Sequence, residues 1–364
     1  MKIRILHVID HLGYGGASVV VKNIVEGLNS ENIEAFVCAL RTNPMAIPIK
    51  AKLINLSCYR YNPCTILAIA KLCKKYKIDI IHAHLQKSII SSLIASFLCN
   101  SKVVIHEHGA IFRGGTGFIY RLLLKVFGSR AAVAIVNSRA TKAALSRSAG
   151  FAKESIHIIG NFVDFARFDC TLYDRDKARN TFGIAENKTV VGFVGRLDHC
   201  KGADLLVNAA AILCKKDQRY RFVVVGEGTQ RKQLKRLVLR LGLKEKVIFT
   251  GLCRNPAEVI RAFDIAVVPS RREAFGITVI EFMRMKIPVI ASAVGGLVEL
   301  VTDGVTGLIT HENRPNEIAD AVQRLANGKK LRQHLIDNAY NFSEKFNVDE
   351  HVKKIEKIYE RVYD

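Results

Sequence analysis

A regular alternation of short apolar segments with longer amphipathic segments most constrains the fold of this chain. Its first instance is an apolar run at 3–9, a glycine-rich break at 10–16 and a helical periodicity over 17–28. A strand, a glycine loop and a helix in this order open a doubly wound α/β domain. Because the same order recurs along most of the chain, the sequence predicts parallel sheets joined by right-handed helical crossovers.

The alternation forms two series, and 364 residues are too many for one ordinary sheet. Strand segments of the first series fall at 3–9, 35–40, 53–56, 78–83, 102–105, 132–136 and 155–159. Those of the second series fall at 190–194, 221–225, 246–250, 265–268 and 287–291. The interval between the two series predicts a boundary within 162–188, with a Rossmann-like domain on each side.

The charge of the chain narrows the classes of partner. The sequence has 55 Lys and Arg against 33 Asp and Glu, a formal net charge of +22. Residues 1–165 carry 21 basic and 8 acidic side chains, so this part alone carries +13. A surface of this kind attracts nucleic acid, anionic lipid or phosphorylated substrates.

The cysteines and the apolar segments indicate the compartment. Nine cysteines are scattered without a Cys-x-x-Cys pair, which favours a reducing compartment over a disulfide framework or a zinc ribbon. The segment 88–99 is too short to span a bilayer, and the N-terminal apolar run contains charges and a histidine, unlike a signal peptide. We expect a cytoplasmic protein that associates peripherally with the inner face of the cytoplasmic membrane.

The loop between the apolar run at 265–268 and the following helical pattern is the most informative stretch. Glu273 and Gly276 fall on this loop, which opens into a helix. The free N–H groups of a helix start bind phosphate, and a glycine there lets a ligand approach the main chain. Glu281 lies about two turns further along, where it can reach a different part of the same ligand.

Unusual polar and glycine residues follow other strand segments, at the edge of a parallel sheet where ligands bind. In the first series they are His11, Gly13–Gly16, His82, His84 and the run His106, Glu107 and His108. In the second series they are Gly195, Arg196, Gly226–Gly228, Gly251, the run 270–273, Gly295 and Gly296. Two such edges facing each other would form a cleft between the domains.

With these residues in order, the chain resembles the retaining glycosyltransferases of the GT-B fold, of the family 4 type. In the second series the resemblance rests on Gly195-Arg196-Leu197, Lys201-Gly202, Gly226-Glu227-Gly228, Glu273-x7-Glu281 with Phe275-Gly276, and Gly295-Gly296 with Glu299. In the first series it rests on Gly15-Gly16, on the run 79–84, and on His106-Glu107-His108-Gly109; Asn161–Asp164 with Phe168 resembles the family's domain junction. Each motif is weak alone, whereas all of them in this order are specific.

The resemblance implies a domain plan and an activity. Residues 1–165 would form an acceptor-binding domain, 166–345 a nucleotide-sugar-binding domain, and 346–364 a helix that packs back on the first. The implied enzyme is a retaining hexosyltransferase that moves a sugar from a UDP- or GDP-sugar to a lipid-linked or saccharide acceptor. Lipopolysaccharide, capsule or another cell-surface glycan is the expected product, and a small soluble acceptor is the alternative.

The resemblance also implies roles for single residues. Arg196 and Lys201 would hold the donor diphosphate and stabilise the leaving nucleotide, Glu281 would bind the ribose, and Glu273 would lie near the transferred sugar. His108 would sit over that sugar and complete the catalytic set. Further donor contacts are expected at Gly15, Gly16, Gly195, Gly226, Arg254, Phe275, Gly276, Ile277 and Thr278.

No cofactor and no metal are expected, since the family needs neither. The histidines His82, His84, His106 and His108 have the spacing of metal ligands, but Arg196 and Lys201 already neutralise the phosphates. An extra basic pair, Arg271-Arg272, fits either an anionic sugar or ordinary surface charge.

Other classes of protein fit the sequence less well. A glycoside hydrolase needs two carboxylates about 5–10 Å apart, whereas eight helical residues would separate Glu273 and Glu281 by roughly 12 Å. A basic nucleic-acid-binding protein fits the net charge, but the sequence has no recognition motif and no tryptophan. A nicotinamide enzyme is disfavoured because the first glycine loop lacks the G-x-G-x-x-G spacing.

Overall fold

The computed structural model describes residues 2–43, 46–57, 64–109, 115–149, 151 and 153–364. The chain divides into two compact units, the first comprising Met1–Phe162 with Val348–Asp364 and the second Val163–Asn347. Each unit has its own parallel sheet with helices, so the prediction of two doubly wound α/β domains is confirmed. Within the described ranges, no helix combines the length and the apolar character needed to cross a bilayer.

The first unit contains a seven-stranded sheet of order β3-β2-β1-β4-β5-β6-β7. Its elements are β1 Ile3–Ile9, α1 Gly16–Gly27, β2 Ile33–Ala39, β3 Lys52–Asn55, α2 Cys64–Tyr76, β4 Ile80–His84, α3 Gln86–Ala95, β5 Lys102–Glu107, α4 Gly115–Phe127, β6 Ala131–Val136, α5 Arg139–Ala149 and β7 Ile156–Ile158.

The second unit contains a six-stranded sheet of order β10-β9-β8-β11-β12-β13. Its elements are α6 Arg175–Asn180, β8 Thr189–Val194, α7 Ala203–Lys216, β9 Tyr220–Val225, α8 Arg231–Arg240, β10 Val247–Gly251, α9 Pro256–Ile260, β11 Ile265–Val268, α10 Ile277–Arg284, β12 Val289–Ser292, α11 Leu297–Leu300, β13 Leu308–Thr310, α12 Pro315–Asn327 and α13 Lys329–Ser343. The last helix of the chain, α14 Val348–Tyr363, belongs to the first unit.

The two faces of the first sheet differ in chemistry because successive strand residues point to opposite sides. On one face Leu6, Val8 and Ile81 join an apolar core with residues of α2, α3, α4 and α5. On the other face Ile9 packs against Val21 and Val25 of α1 in a smaller cluster. The residues of β1, β4 and β5 that share this second face include histidines, so it is unusually polar for the interior of a sheet.

Helix α14 packs on the first unit through an apolar stripe. Val352, Ile355, Ile358, Tyr359 and Val362 recur at helical spacing, and all are buried. A Cβ atom added at Gly27 would meet Val352 at 3.1 Å, so the glycine at the end of α1 permits the close approach of α14. The side chain of Glu356 accepts a hydrogen bond from the Asn29 amide at 2.7 Å, which ties α14 to the turn that follows α1.

The core of the second unit lies on both faces of its sheet. Gly192 in β8 illustrates the packing, because a Cβ atom there would lie 2.0 Å from the ring of the buried Phe263. The segment before β8 is fixed to this unit by Asp264, whose carboxylate pairs with Arg179 at 2.6 Å and with Arg175. Asp264 also accepts a hydrogen bond from the Val190 amide at 2.8 Å.

The two ends of the second unit lie side by side. The Val163 amide donates a hydrogen bond to the Phe346 carbonyl at 3.0 Å, and Val163 forms a parallel bridge with Asn347. The chain therefore enters and leaves this unit at adjacent positions.

The sequence pattern missed the shortest elements. Strand β13 has three residues, helix α11 four and helix α6 six, all too short to show a period. Helix α3 begins at Gln86 because the preceding Leu85 adopts a positive φ of 71° and sets the turn there.

Candidate functional site

The loop after β11 is held as a helix N-terminus. Gly276 adopts a left-handed φ of 97° and is the N-cap residue of α10. A Cβ atom at this position would meet Leu297 at 2.5 Å, so both backbone and packing require glycine. The amides of Ile277 and Thr278 lie in the first turn of α10, where backbone N–H groups have no partner within the helix. This turn can bind an anion, as the sequence predicts.

The turn between β12 and α11 packs against the backbone of the same loop. The Gly296 amide donates to the Glu273 carbonyl at 3.1 Å. Gly295 has a φ of 53°, and a Cβ atom there would lie 1.8 Å from that carbonyl oxygen. The two glycines therefore fix the main chain at Glu273, while the buried Phe275 anchors the loop to the core of the unit.

Glu273 and Lys201 meet across the carboxyl edge of the sheet. The Lys201 Nζ donates to Glu273 Oε2 at 2.6 Å, and the Ser270 hydroxyl donates to the same oxygen at 3.3 Å. The Glu273 side chain is 11% exposed and that of Lys201 27%, so the pair is shielded from solvent but remains accessible. The structure thus brings together two predicted site residues that are 72 positions apart.

Glu281 lies one turn after Ile277, the first residue of α10, and is buried. Burial raises the pKa of its carboxyl to about 7, and the charge of Arg167 opposes that rise. A carboxyl group with this pKa changes its charge near neutral pH, so its ionisation responds to hydrogen-bond donors that a ligand brings.

Glycine turns bring the other strand ends close together. A Cβ atom at Gly226 would lie 1.9 Å from the Gly195 carbonyl oxygen, and Gly226 has a φ of 133°. The Gly195 amide donates to the Val225 carbonyl at 3.0 Å, and the Gly226 amide donates to the Gly251 carbonyl at 2.9 Å. The loops after β8, β9 and β10 therefore pack backbone against backbone.

Two predicted basic residues project from these loops. The Arg196 side chain is 69% exposed and pairs with Asp198 at 3.1 Å, so its guanidinium is available to an anion. Arg254 is exposed, and its carbonyl accepts a hydrogen bond from Arg167.

The extra basic pair has a structural explanation in part. Arg271 forms a bidentate pair with Asp204, at 2.8 and 2.6 Å, and donates to the His199 carbonyl at 3.0 Å. Its guanidinium therefore binds the start of α7 and stabilises the loop that contains Lys201. Arg272 donates to the Cys200 sulfur at 3.3 Å.

In the first unit, Gly15 and Gly16 form the start of α1, with Gly15 as the N-cap residue. A Cβ atom at Gly15 would meet nothing within 4 Å, so the space beside this helix start is open among the described residues. Because the first helical turn has free N–H groups, it is a second place where an anion can bind.

His108 follows β5 and is partly buried. Its Nε2 lies 2.9 Å from Nδ1 of His84, and its carbonyl accepts a hydrogen bond from Asn137 at 3.2 Å. Burial lowers the pKa of the imidazole to about 3, so the ring is neutral at physiological pH. A neutral histidine can donate one hydrogen bond and accept another, but it does not contribute a positive charge.

The structure groups more histidines than the sequence predicted. His7, which we did not single out from the sequence, lies in β1 opposite His82, and its Nδ1 is 3.2 Å from Nε2 of His84. Two sets of three have ligand atoms within 4.8 Å of one another: His7, His82 and His84, and His84, His106 and His108. The spacing of two residues within each pair, His82 with His84 and His106 with His108, indicated from the sequence that each pair shares a strand face. His7 could be added only once the sheet showed that β1 pairs with β4.

Comparisons with known proteins agree with this geometry. The sequence profile of Glycosyltransferase Family 4 matches residues 14–167, and that of Glycosyl transferases group 1 matches residues 174–342. Together the two profiles match most of each unit. The chain belongs to the GT-B glycosyltransferases of the family 4 type, which confirms the resemblance seen in the sequence.

The curated relatives are transferases that differ in substrate. The alpha-D-kanosaminyltransferase of Streptomyces kanamyceticus is 32% identical over 212 residues, covering 57% of this chain and 54% of that protein. The D-inositol 3-phosphate glycosyltransferase of Actinosynnema mirum is 38% identical over 198 residues, covering 51% of this chain and 47% of that protein. The matched part thus spans about half the length of these relatives.

A solved structure extends the likeness of fold to the whole chain. The Anabaena protein HepE, in complex with UDP-glucose, superposes with a TM-score of 0.85 at 24% sequence identity. The superposition covers 99% of this chain and 100% of that one. This likeness supports the GT-B fold.

Proposed function

We propose that this protein is a retaining glycosyltransferase that uses a nucleotide sugar as its donor. The observation that carries the proposal is the Lys201–Glu273 pair beside the N-terminus of α10. A cation, a carboxylate and free amides at the carboxyl edge of a parallel sheet suit a diphosphate joined to a sugar. UDP-glucose in the HepE complex favours a UDP-sugar as the first donor to test, with a GDP-sugar second.

The proposed donor site lies on the second unit. Lys201 and Arg196 bind the diphosphate, with the amides of Ile277 and Thr278 as further donors to its oxygens. Glu281 accepts hydrogen bonds from the ribose hydroxyls. The glycine turns at Gly195 and Gly226 and the loop at Arg254 bind the nucleoside, because glycine lets a ligand approach the main chain closely.

Catalytic roles are proposed for Arg196, Lys201, Glu273 and His108. The bond from the anomeric carbon to the diphosphate oxygen breaks, and the acceptor oxygen attacks from the same face. The acceptor proton passes to the departing phosphate oxygen, so no protein base has to take it. Arg196 and Lys201 stabilise the negative charge on that phosphate. This stabilisation contributes the larger part of the rate enhancement. Glu273 and the neutral His108 hydrogen-bond to the sugar.

The same arrangement underlies the proposal of metal-independent transfer. Two basic side chains can offset the diphosphate charge that a divalent cation offsets in other transferases. Excess chelator should therefore not lower turnover, and a loss that one particular divalent ion restores would contradict this part of the proposal.

The acceptor is proposed to be lipid-linked and to bind the first unit. Helix α4 has an outward apolar face of Phe118, Ile119, Leu122 and Val126, and the surrounding sequence is strongly basic. An anionic lipid-linked glycan suits both properties. The similarity to a D-inositol 3-phosphate glycosyltransferase favours a small soluble acceptor as the second candidate.

A donor screen followed by product analysis tests the function. We would titrate UDP- and GDP-sugars into the protein by calorimetry and then measure slow hydrolysis of those that bind. One donor class should bind, Lys201→Ala should weaken that binding, and proton NMR of a transfer product from an α-linked donor should show an α linkage. A protein that binds no nucleotide sugar, or that forms a β-linked product, would contradict the proposal, whereas a salt-dependent DNA gel shift would favour the nucleic-acid alternative.

A further inference from the structure

Five histidines lie together in the first unit and are here called the histidine cluster: the buried His7, His82, His84 and His106, and the partly buried His108. Strand β4 lies between β1 and β5, and the register sets His7 opposite His82 and His84 opposite His106. Because neighbouring strands are about 4.8 Å apart and alternate residues share a face, these rings stand side by side on one surface of the sheet. The closest ring centroids, those of His106 and His108, are 4.0 Å apart.

The rings of the histidine cluster are neutral, and their hydrogen bonding is incomplete. Burial lowers the pKa of all five imidazoles, and for His82, His84 and His106 the charges of neighbouring histidines lower it further. Among the described residues, ring nitrogens without a hydrogen-bond partner are Nε2 of His7, Nε2 of His82, both nitrogens of His106 and Nδ1 of His108.

Unsatisfied buried polar atoms are costly and uncommon, with only a few expected per hundred residues. Five of them within one cluster call for a ligand that engages several nitrogen lone pairs at once. Neutral imidazole is a preferred ligand of Zn²⁺ and its neighbours, whereas Mg²⁺ and Ca²⁺ prefer oxygen. The chemistry of the cluster therefore selects a transition metal.

We propose that His84, His106 and His108 together bind one divalent transition-metal ion, with Zn²⁺ the preferred ion. Their ligand atoms lie within 4.8 Å of one another. Nδ1 of His84 and Nε2 of His108 are 2.9 Å apart. Two nitrogens at neighbouring corners of a tetrahedral zinc site are roughly 3.3 Å apart, so a shift of a few tenths of an ångström is enough for this pair, and His106 must turn its ring to complete the set.

Two features favour this set over His7, His82 and His84. His108 is partly exposed, which provides a route for the ion, whereas the rings of His7 and His82 are fully buried. Both nitrogens of His106 lack a partner, so rotation of its ring about χ2 can present a lone pair without breaking a hydrogen bond. Nδ1 of His82, in contrast, bonds the hydroxyl of Tyr359 at 2.6 Å.

The neighbouring histidine His7 supports the site from outside. When Nδ1 of His84 binds the ion, its Nε2 carries the proton and donates to Nδ1 of His7, 3.2 Å away. This hydrogen bond fixes the tautomer and the orientation of the ligand ring. Three protein ligands leave the fourth tetrahedral position open.

The test is metal binding by untagged protein. We would titrate Co²⁺ and follow its visible d–d absorption, and then titrate Zn²⁺ by calorimetry. Wild-type protein should bind one ion per chain with the absorption of tetrahedral Co²⁺. His106→Ala and His108→Ala should each weaken binding on the order of a hundredfold, since the loss of mere supporting residues already costs 10–100-fold. His334→Ala, at an exposed position in the second unit, should leave it unchanged.

The remaining outcomes are equally decisive. No binding by wild-type protein, or full binding by both His106→Ala and His108→Ala, would overturn the proposal. Binding that is lost in His7→Ala but kept in His106→Ala would assign the ion to the other three histidines and would also overturn it. Thermal melts establish that each variant is folded, and His106→Phe keeps the ring volume if alanine is not tolerated.

An activity measurement adds a separate arm that rests on the proposed function. If His108 contacts the transferred sugar, Zn²⁺ bound there should lower turnover, and a chelator should restore it. Failure of this arm alone, with Co²⁺ bound as expected, would argue against the role of His108 in transfer and leave the metal site in place.

Discussion

At the scale of single residues, Lys201 has two partners to satisfy. It neutralises Glu273, and in the proposed reaction it also binds the diphosphate. We expect Lys201→Ala to lower kcat/KM on the order of a hundredfold or more, because it removes a charge from the leaving phosphate and leaves the Glu273 carboxylate without a cation. Steady-state kinetics measure this loss.

The matched control is Lys244→Ala. Lys244 is exposed and precedes β10, so it lies at the amino end of the strands rather than at the carboxyl edge. The Lys244→Ala variant should turn over as fast as the wild type. A similar loss in both variants would show that activity depends on the overall positive charge and not on the position of Lys201.

If Glu281 binds the ribose as proposed, nucleotide binding should depend on pH. Burial raises its pKa to about 7, and ribose hydroxyls that donate to the carboxylate favour its ionised form. The affinity for the free nucleotide should therefore rise as the pH increases from about 6 to about 8 and then level off. Glu281→Gln should bind more weakly and show a flat profile in calorimetry, and a wild-type profile without a slope would contradict the assignment.

The same carboxyl affects the stability of the second unit with the opposite sign. Its folded pKa is higher than that of an ordinary glutamate, so the folded state binds the proton more tightly than the unfolded state. The free energy of unfolding should fall by about 2–3 kcal/mol as the pH rises from about 5 to about 8. Bound nucleotide should reduce this fall.

At the scale of elements, the turn between β12 and α11 determines the position of Glu273. Gly295→Ala combines a left-handed backbone with a Cβ atom 1.8 Å from the Glu273 carbonyl oxygen. We expect it to lower the melting temperature clearly and to impair nucleotide-sugar turnover, because the clash must displace the site loop.

Gly242→Ala separates the two causes. Gly242 has a similar φ of 68°, but a Cβ atom there meets nothing within 4 Å. Its cost should be limited to the left-handed backbone, about 1–2 kcal/mol, with turnover unchanged. Equal losses of stability in the two variants would mean that the contact with the Glu273 carbonyl has no effect.

The order of elements was predictable from the sequence, whereas several side-chain partners were not. Apolar runs and glycine breaks predicted most strands, because the apolar pattern of a buried strand and the residue preferences of turns are local properties of the sequence. The resemblance assigned Lys201 and Glu273 to the same donor, but their direct ion pair was not predicted. The pairing of Arg271 with Asp204 and the addition of His7 to the histidines depend on which loops and strands become neighbours, and no local pattern encodes that.

At the scale of the whole molecule, the basic first part of the chain and the apolar face of α4 predict binding to anionic membranes. The protein should float with anionic liposomes at low salt and be released as salt increases, because screening weakens the attraction of its positive charge to the lipid. Lack of retention on every anionic composition would contradict the prediction.

A pair of matched variants distinguishes binding through α4 from nonspecific hydrophobic binding. Phe118 in α4 is 62% exposed and Leu239 in α8 is 60% exposed. Phe118→Ser should reduce the floated fraction, since an apolar side chain at the lipid boundary adds to binding. Leu239→Ser should not reduce it.

The adjacent ends of the second unit make it an insertion within the first. Because Val163 is hydrogen-bonded to Phe346 and bridged to Asn347, the excised segment 163–347 would begin and end at one point on its surface. Such a segment can be transplanted as a cassette, and the first unit can be resealed by a short linker between residues 162 and 348. If the donor binds the second unit and the acceptor the first, as proposed, donor and acceptor preferences should be recombined between relatives by exchanging one contiguous stretch of gene.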